Sequence, residues 1–299
     1  MVKSKGTIIK EIKGLLSEPK NRIKLDDFVT EHLKKFINMT SLEQFPVEDS
    51  NVQKEELEFL ERLQKYEEIL KDLQKIVILL ARWGNEEQLL ILEKVFNRIA
   101  ETDKGLSGLD LWVRFGWYPI QALMYSSGIA ALSARKYSVL KVILTANVPY
   151  SSMRREECFP IIVPVTENLA HMHDEFKWIP GQDQKHVPHS EHLFEILDPV
   201  LQELLFLGKD YERLFDDFEV YAALVYGDLK ERNWYPVGRF GWKYRREVGY
   251  DPFSRIVEEA KKRQDNWPPL QVGMFNGSLD RFLKLSDGLR QRLNELSWH

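Results

Sequence analysis

From Gln53 to Arg82 apolar residues return at helical spacing. Leu57, Leu60, Leu63, Tyr66, Ile69, Leu70 and Leu73 form one stripe, with Glu and Lys on the opposite face. The stripe then widens into the unbroken run Ile76-Val77-Ile78-Leu79-Leu80-Ala81, which predicts burial on every side at that end. A helix of this length must find other elements to bury against, so the chain needs a packed helical neighbourhood around it. Gly84-Asn85 closes the helix, and Glu86-Glu87 places acid in the first turn of another that runs to about Ala100.

Other segments carry the same period. Phe28, Val29, Leu33, Phe36 and Ile37 recur at helical spacing between Leu25 and Asn38. Trp117 to Leu144 reads WYPIQALMYSSGIAALSARKYSVLKVIL. Pro119 suits a first helical turn, and Ala122, Gly128, Ala130, Ala131 and Ala134 are small enough to admit a second helix closely. The stretch is similar to one hairpin of a tetratricopeptide-type repeat, but no second copy follows at a fixed period. One antiparallel helix pair over Pro119–Leu144, the most buried part of the protein, is the expectation. Helical period returns over Glu191–Leu207 and Tyr211–Arg232. Asp251-Pro252 opens a helix through Arg263, and Ser278 caps a last one to Leu296.

Between Asn147 and Ser190 the period fails. Pro149, Pro160, Pro164, Pro180 and Pro188 punctuate this stretch, and Phe159–Val165 is its one convincing strand. A second strand or small hairpin is expected at Val237–Tyr244. The fold class is therefore all-α: an irregular multi-helix bundle with helical hairpins and a few short strands or loops. The organisation expected is an N-terminal helical region over 1–146 with the core hairpin, an irregular Pro/His-rich connection over 147–190, and a C-terminal helical region over 191–299. The three can form one continuous domain.

Composition narrows the function classes. With 299 residues, 43% of them hydrophobic and 29% charged, the chain has ample material for a core. Forty-two Lys and Arg against 46 Asp and Glu leave a net charge of -4. No global basic field exists to hold nucleic acid or an anionic membrane, so such binding must be local. The single Cys158 excludes an internal disulfide and a multi-cysteine zinc site. Beside an apolar strand it is expected to be a buried, inert thiol. No apolar run approaches the roughly 18 residues of a membrane span. The start, MVKSKGTIIKEIKGLL, lacks the apolar core of a secretory signal, so the expected address is the cytoplasm.

Three groups of residues could carry chemistry. Five of the seven histidines, His171, His173, His186, His189 and His192, fall within 22 residues. Imidazoles near Asp174 and Glu175 are ligands a first-row metal uses, which makes His171, His173, His186 and His189 the metal candidates. The spacing is poor for it, since His-x-His needs an extended strand and Pro188 interrupts the later set. Arg239-Phe-Gly-Trp-Lys-Tyr-Arg-Arg246 interleaves four cations with three aromatics. Arg239, Lys243, Arg245 and Arg246 could pair with phosphates while Trp242 stacks on a base. The plainer reading is aromatic packing with cations reaching back to water. Glu212, Asp216, Asp217, Glu219 and Asp228 lie along one helix, where a solvated acidic face is the ordinary outcome of amphipathicity. No nucleophile elbow, Walker loop or glycine-rich dinucleotide loop occurs. No cofactor is expected, and no catalytic motif is found.

Several phrases together point to a family. They are PKNRIKLDDFV at 19–29, QFPV at 44–47, LLARWGN at 79–85, the hairpin above, LFDDFEVYAALVYGDL at 214–229, PVGRFGWKYR at 236–245 and PPLQVGMFNG at 268–277. They resemble the helical C-terminal region that follows a sirtuin-like or AlbA-type effector domain in some bacterial proteins of phage-defence type. The resemblance covers Pro19 to Gly277 and brings no assigned active residues. Such relatives begin with the effector, whereas this chain begins at Met1 without it. What the resemblance implies is a non-catalytic interaction or sensor module, which binds a protein partner or ligand and regulates an effector supplied elsewhere. The alternative is an enzyme acting on nucleic acid or a nucleotide, with the His-rich loop and the Arg239–Arg246 segment facing each other around one cleft. Tight binding of nucleic acid is not expected.

Overall fold

The computed structural model describes residues 5–47, 55–102, 110–152, 155–230, 234–244 and 251–296. It is 77% helical. Helix α1 (Lys5–Leu16) packs on α2 (Arg22–Met39), which buries Leu25, Phe28, Val29, Leu33 and Phe36 on one face. Both lie against α3 (Glu55–Trp83), whose continuous buried run from Leu73 to Ala81 matches the apolar end of its sequence stripe. Helix α4 (Glu86–Ala100) begins on a reciprocal cap: Asn85 accepts the Gln88 N–H at 3.0 Å, and Gln88 accepts the Asn85 N–H at 2.9 Å.

After α5 (Asp110–Phe115) comes α6 (Tyr118–Ser133), with Pro119 in its first turn. This helix is apolar or small almost all round and buried almost all round, as a helix at the centre of a bundle must be. Its most extensive packing is on α3, and it turns tightly into α7 (Tyr137–Thr145), which is buried on one face only. The close approach that the small residues allow is real. A Cβ placed at Gly128 would lie 2.1 Å from the Phe218 ring.

Most of the connection that the sequence leaves irregular forms regular elements. Strands β1 (Asn147–Ser152) and β2 (Arg155–Pro160) pair antiparallel, with Val148 opposite Phe159. The expected strand at Phe159–Val165 therefore shifts: its first two residues end β2, and the rest opens α8 (Ile162–Leu169). A short apolar run has no period of its own, and Pro164 falls in the first helical turn, where its missing N–H costs nothing. Ile162, Val163, Val165, Thr166 and Leu169 are buried by the helix. Cys158, expected to be buried, is exposed on β2.

Helix α9 (His173–Phe176) is a single turn, followed by α10 (Pro188–Leu205) and α11 (Asp210–Lys230). Where a strand was expected at Val237–Tyr244, the chain forms the single turn α12 (Phe240–Lys243), and no strand occurs there among the described residues. The remaining helices are α13 (Pro252–Arg263), α14 (Pro268–Gln271) and α15 (Leu279–Glu295). Asp251 caps α13 by accepting the Phe253 and Ser254 N–H groups, and Ser278 caps α15 by accepting that of Arg281. Helix α11 packs on α6, α8, α13 and α15, so one hydrophobic core runs from Ile8 to Leu293. No helix among the described residues is long and apolar enough to cross a membrane.

Candidate functional site

Helix α11 carries Glu212, Asp216 and Glu219 at the spacing that gathers side chains on one face. The solvated acidic face expected from the sequence is overturned. Asp216 is 0% exposed and Glu219 3%, and only Glu212 reaches water. Helix α10 and the segment 234–243 cover the face and bring polar partners with them. Ser190, in the first turn of α10, donates to Glu219 Oε1 at 2.5 Å, and Tyr125 of α6 donates to the same oxygen at 3.2 Å. The Arg239 N–H in turn donates to Ser190 Oγ at 3.0 Å.

The cations complete the network. The Arg239 guanidinium lies 3.5 Å from the Phe194 ring centre and pairs with Glu191 at 2.9 Å. One helical turn later, Lys243 pairs with Glu212 at 2.8 Å and with Asp216 at 2.5 Å. Trp242 Nε1 donates to Glu191 at 3.0 Å. This explains why a turn of helix replaces the expected strand: it points Arg239 and Lys243 the same way, into buried carboxylates. A Cβ at Gly238 would lie 2.0 Å from Glu219 Oε1, so glycine alone lets the backbone pass over that carboxylate.

Burial sets the electrostatics. It pushes Glu219 up to about 7; the Ser190 hydrogen bond opposes this rise, and neighbouring Asp216 adds to it. Burial also raises Asp216, with Lys243 pulling the other way. The hydrogen bond from Lys243 holds Glu212 below the usual carboxylate range. Burial, then Glu219, raises the Tyr125 hydroxyl well above its ordinary value, so it stays a donor.

Beside the network a cleft of about 200 Å³ opens between α6, α8, α10 and the segment 234–238. Met124, Ile162, Val165, Leu193 and Phe218 form its apolar wall, and among the described residues neither Lys nor Arg lines it. Three residues in the wall hold a buried side-chain atom with no hydrogen-bond partner among the described residues: Gln121 Oε1, His189 Nε2 and Glu219 Oε2. Such atoms are normally paired, so the wall carries an unmet demand for hydrogen bonds. The His189 ring stacks on Phe176 at 3.7 Å. Burial, then His192 and His173, lowers it to about 3, which keeps it neutral at physiological pH.

The residues singled out from the sequence are partly brought together. His173 and His189 face Trp234 and Pro236–Gly238 across the cleft, so the His-rich stretch does meet the segment leading into Arg239. Arg239 and Lys243 turn away from it. They are 6% and 5% exposed and paired with carboxylates, not presented to a phosphate chain. Trp242 is half-buried against Glu191, and Arg245 and Arg246 lie outside the described residues. His171 and His186 are exposed and do not line the cleft. His192 is buried with Nε2 2.6 Å from Glu67. Among the described residues no group of three His, Cys, Asp or Glu could hold a metal ion. Reading the sequence missed Gln121, Tyr125, Ser190 and Glu191. The one local signal for them was Gly238, just ahead of the basic-aromatic run.

Compared with protein-family models, curated proteins and solved structures, the chain matches none. The fold and site define it as an all-α bundle with a small, acid-floored cleft.

Proposed function

We propose that the protein is a sensor module whose cleft takes a small, largely apolar molecule bearing a hydrogen-bond-donating amine, and which thereby regulates an effector supplied by a partner. The observation that carries this reading is the clustering, among the described residues, of unpartnered buried atoms on Gln121, His189 and Glu219 in one cleft wall without Lys or Arg. Gln121 Oε1 is an acceptor, and Glu219 Oε2 becomes one when the carboxyl ionises, so a ligand ammonium would supply the donors and the missing counter-charge. The link from Glu219 through Ser190 to the Arg239 N–H supports a regulatory role, because it joins the cleft to α12 and to the exposed Glu212.

The test is thermal stabilisation of the full chain by a panel of alkyl- and arylamines, with matched alcohols and carboxylates. A ligand at a hundred times its Kd should add about 2.7 kcal/mol, a rise of several degrees. Amines should stabilise more at pH 8 than at pH 6, as Glu219 ionises, and Glu219→Gln should abolish the preference. Equal response to carboxylates would sink the reading.

A general base beside a cleft would also have a carboxyl pushed up to about 7, which is the observation that favours an enzyme instead. Turnover of a bound amine, lost in Glu219→Gln with binding retained, would establish that alternative.

A further inference from the structure

A second cleft, of about 540 Å³, lies where the α6–α7 turn and the α10–α11 turn meet α13. We propose that it binds a nucleotide, with the phosphates on its arginines and the base on Phe206. Five guanidinium groups line it, those of Arg82, Arg135, Arg213, Arg255 and Arg263, against the carboxylates of Asp210, Asp217 and Glu259. The cleft thus holds a local excess of two positive charges in a chain of net charge -4. Its character is opposite to that of the Glu219 cleft, and among the described residues it shares no lining residue with it.

The pairing is uneven. Arg263 holds Glu259 at 2.9 Å, Arg213 holds Asp210 at 2.9 Å, and Arg255 is bound to Asp217. Arg82 donates to the Ser133 hydroxyl at 3.0 Å, and neither it nor Arg135 has a carboxylate partner among the described residues. Of the two, Arg82 lies close enough to Lys136 to help lower its amine, after burial, the larger cause. A planar fork of donors without an acid is the arrangement that takes a phosphate in two parallel hydrogen bonds.

The backbone points to the same place. Arg135 and Phe206 adopt left-handed conformations, with φ 55° and 52°, although neither is glycine. Each closes the C-terminal end of its helix, α6 or α10. Both residues line this cleft. The turn leaves Phe206 92% exposed, the most exposed large apolar side chain among the described residues. A bare ring at the rim of an arginine-lined cleft is a stacking platform for a base, and the volume falls in the range of small-molecule sites. The carboxylates interspersed along α11 and α13 leave no continuous basic track, which favours a small ligand over a polymer.

The test is calorimetric titration of the full chain with ATP, AMP, adenosine and pyrophosphate, at low and at physiological salt. ATP should bind more tightly than AMP, adenosine should not bind, and added salt should weaken ATP binding. Arg82→Gln and Arg135→Gln should each weaken ATP at least tenfold with the melting temperature unchanged, since neither leaves a carboxylate unpaired. Phe206→Ala should weaken ATP and leave pyrophosphate unaltered. Arg22→Gln, a surface cation paired with Glu87 at 3.4 Å, is the charge control and should change nothing. No binding of ATP by the folded chain, binding insensitive to Arg82→Gln and Arg135→Gln, pyrophosphate binding as tight as ATP, or binding of single-stranded RNA in preference to ATP would each overturn the proposal.

Discussion

Glu219 shows what one residue's surroundings do to its chemistry. Its carboxyl has a folded pKa of about 7, raised first by burial, against an ordinary value near 4.3. A raised carboxylate means that the folded state holds a proton which the unfolded chain has released. The stability tied to this proton is therefore complete below about pH 4.3 and is lost as pH climbs through 7. Asp216, also raised, acts in the same direction. Glutamine keeps the oxygen that accepts from Ser190 and Tyr125 but cannot ionise. Glu219→Gln is therefore expected to be more stable than the parent at pH 8, by at most about 4 kcal/mol, with the gap closing only as pH falls below about 4. Denaturant melts at four pH values measure it; a gap that stays constant would mean that Glu219 titrates normally. The acids were visible in the sequence, but their burial was not. Amphipathic periodicity assigns the polar face of α11 to water, and only the arrival of Ser190, Arg239 and Lys243 from distant positions reverses that assignment.

At the scale of elements, most of the helices could be read directly. Long segments with a clear apolar period, such as α3, and segments with explicit start signals, such as α13 behind Asp251-Pro252, occur where the sequence places them. The departures are short: residues 162–165 and Phe240–Lys243 are helical instead of extended, because what they bury matters more than local preference. The central hairpin was legible through its small residues, and it carries a sharp forecast. A Cβ at Gly128 would overlap the Phe218 ring on α11. Gly128→Ala is expected to cost about 1–3 kcal/mol and Gly128→Leu more, since a packed core answers overfilling by displacing a helix. Unchanged melting of Gly128→Ala would mean that α6 and α11 separate easily.

Across the whole molecule, α12 joins α10 to α11 with buried ion pairs, in a region where the sequence suggested that the cations were dispensable. If Arg239 and Lys243 reached back to water, their removal would do little. The structure reverses that expectation, because Lys243 is 5% exposed and is paired with the fully buried Asp216. Deleting one member of a buried pair leaves the other charge uncompensated, at a cost of about 3–5 kcal/mol. Asp216 Oδ1 already lacks a partner, so the site has no spare donor to absorb the loss. Lys243→Met should therefore destabilise the whole protein in one cooperative transition, since α11 belongs to the same core as α6 and α15. Replacing both members, Lys243→Met with Asp216→Leu, removes the stranded charge and should recover much of that loss. Denaturant unfolding of the two singles and the double forms a complete cycle. A favourable coupling of several kcal/mol fits a latch made of charge, whereas additive losses would show that α12 is held by Phe240 and Trp242 and that the ions are incidental.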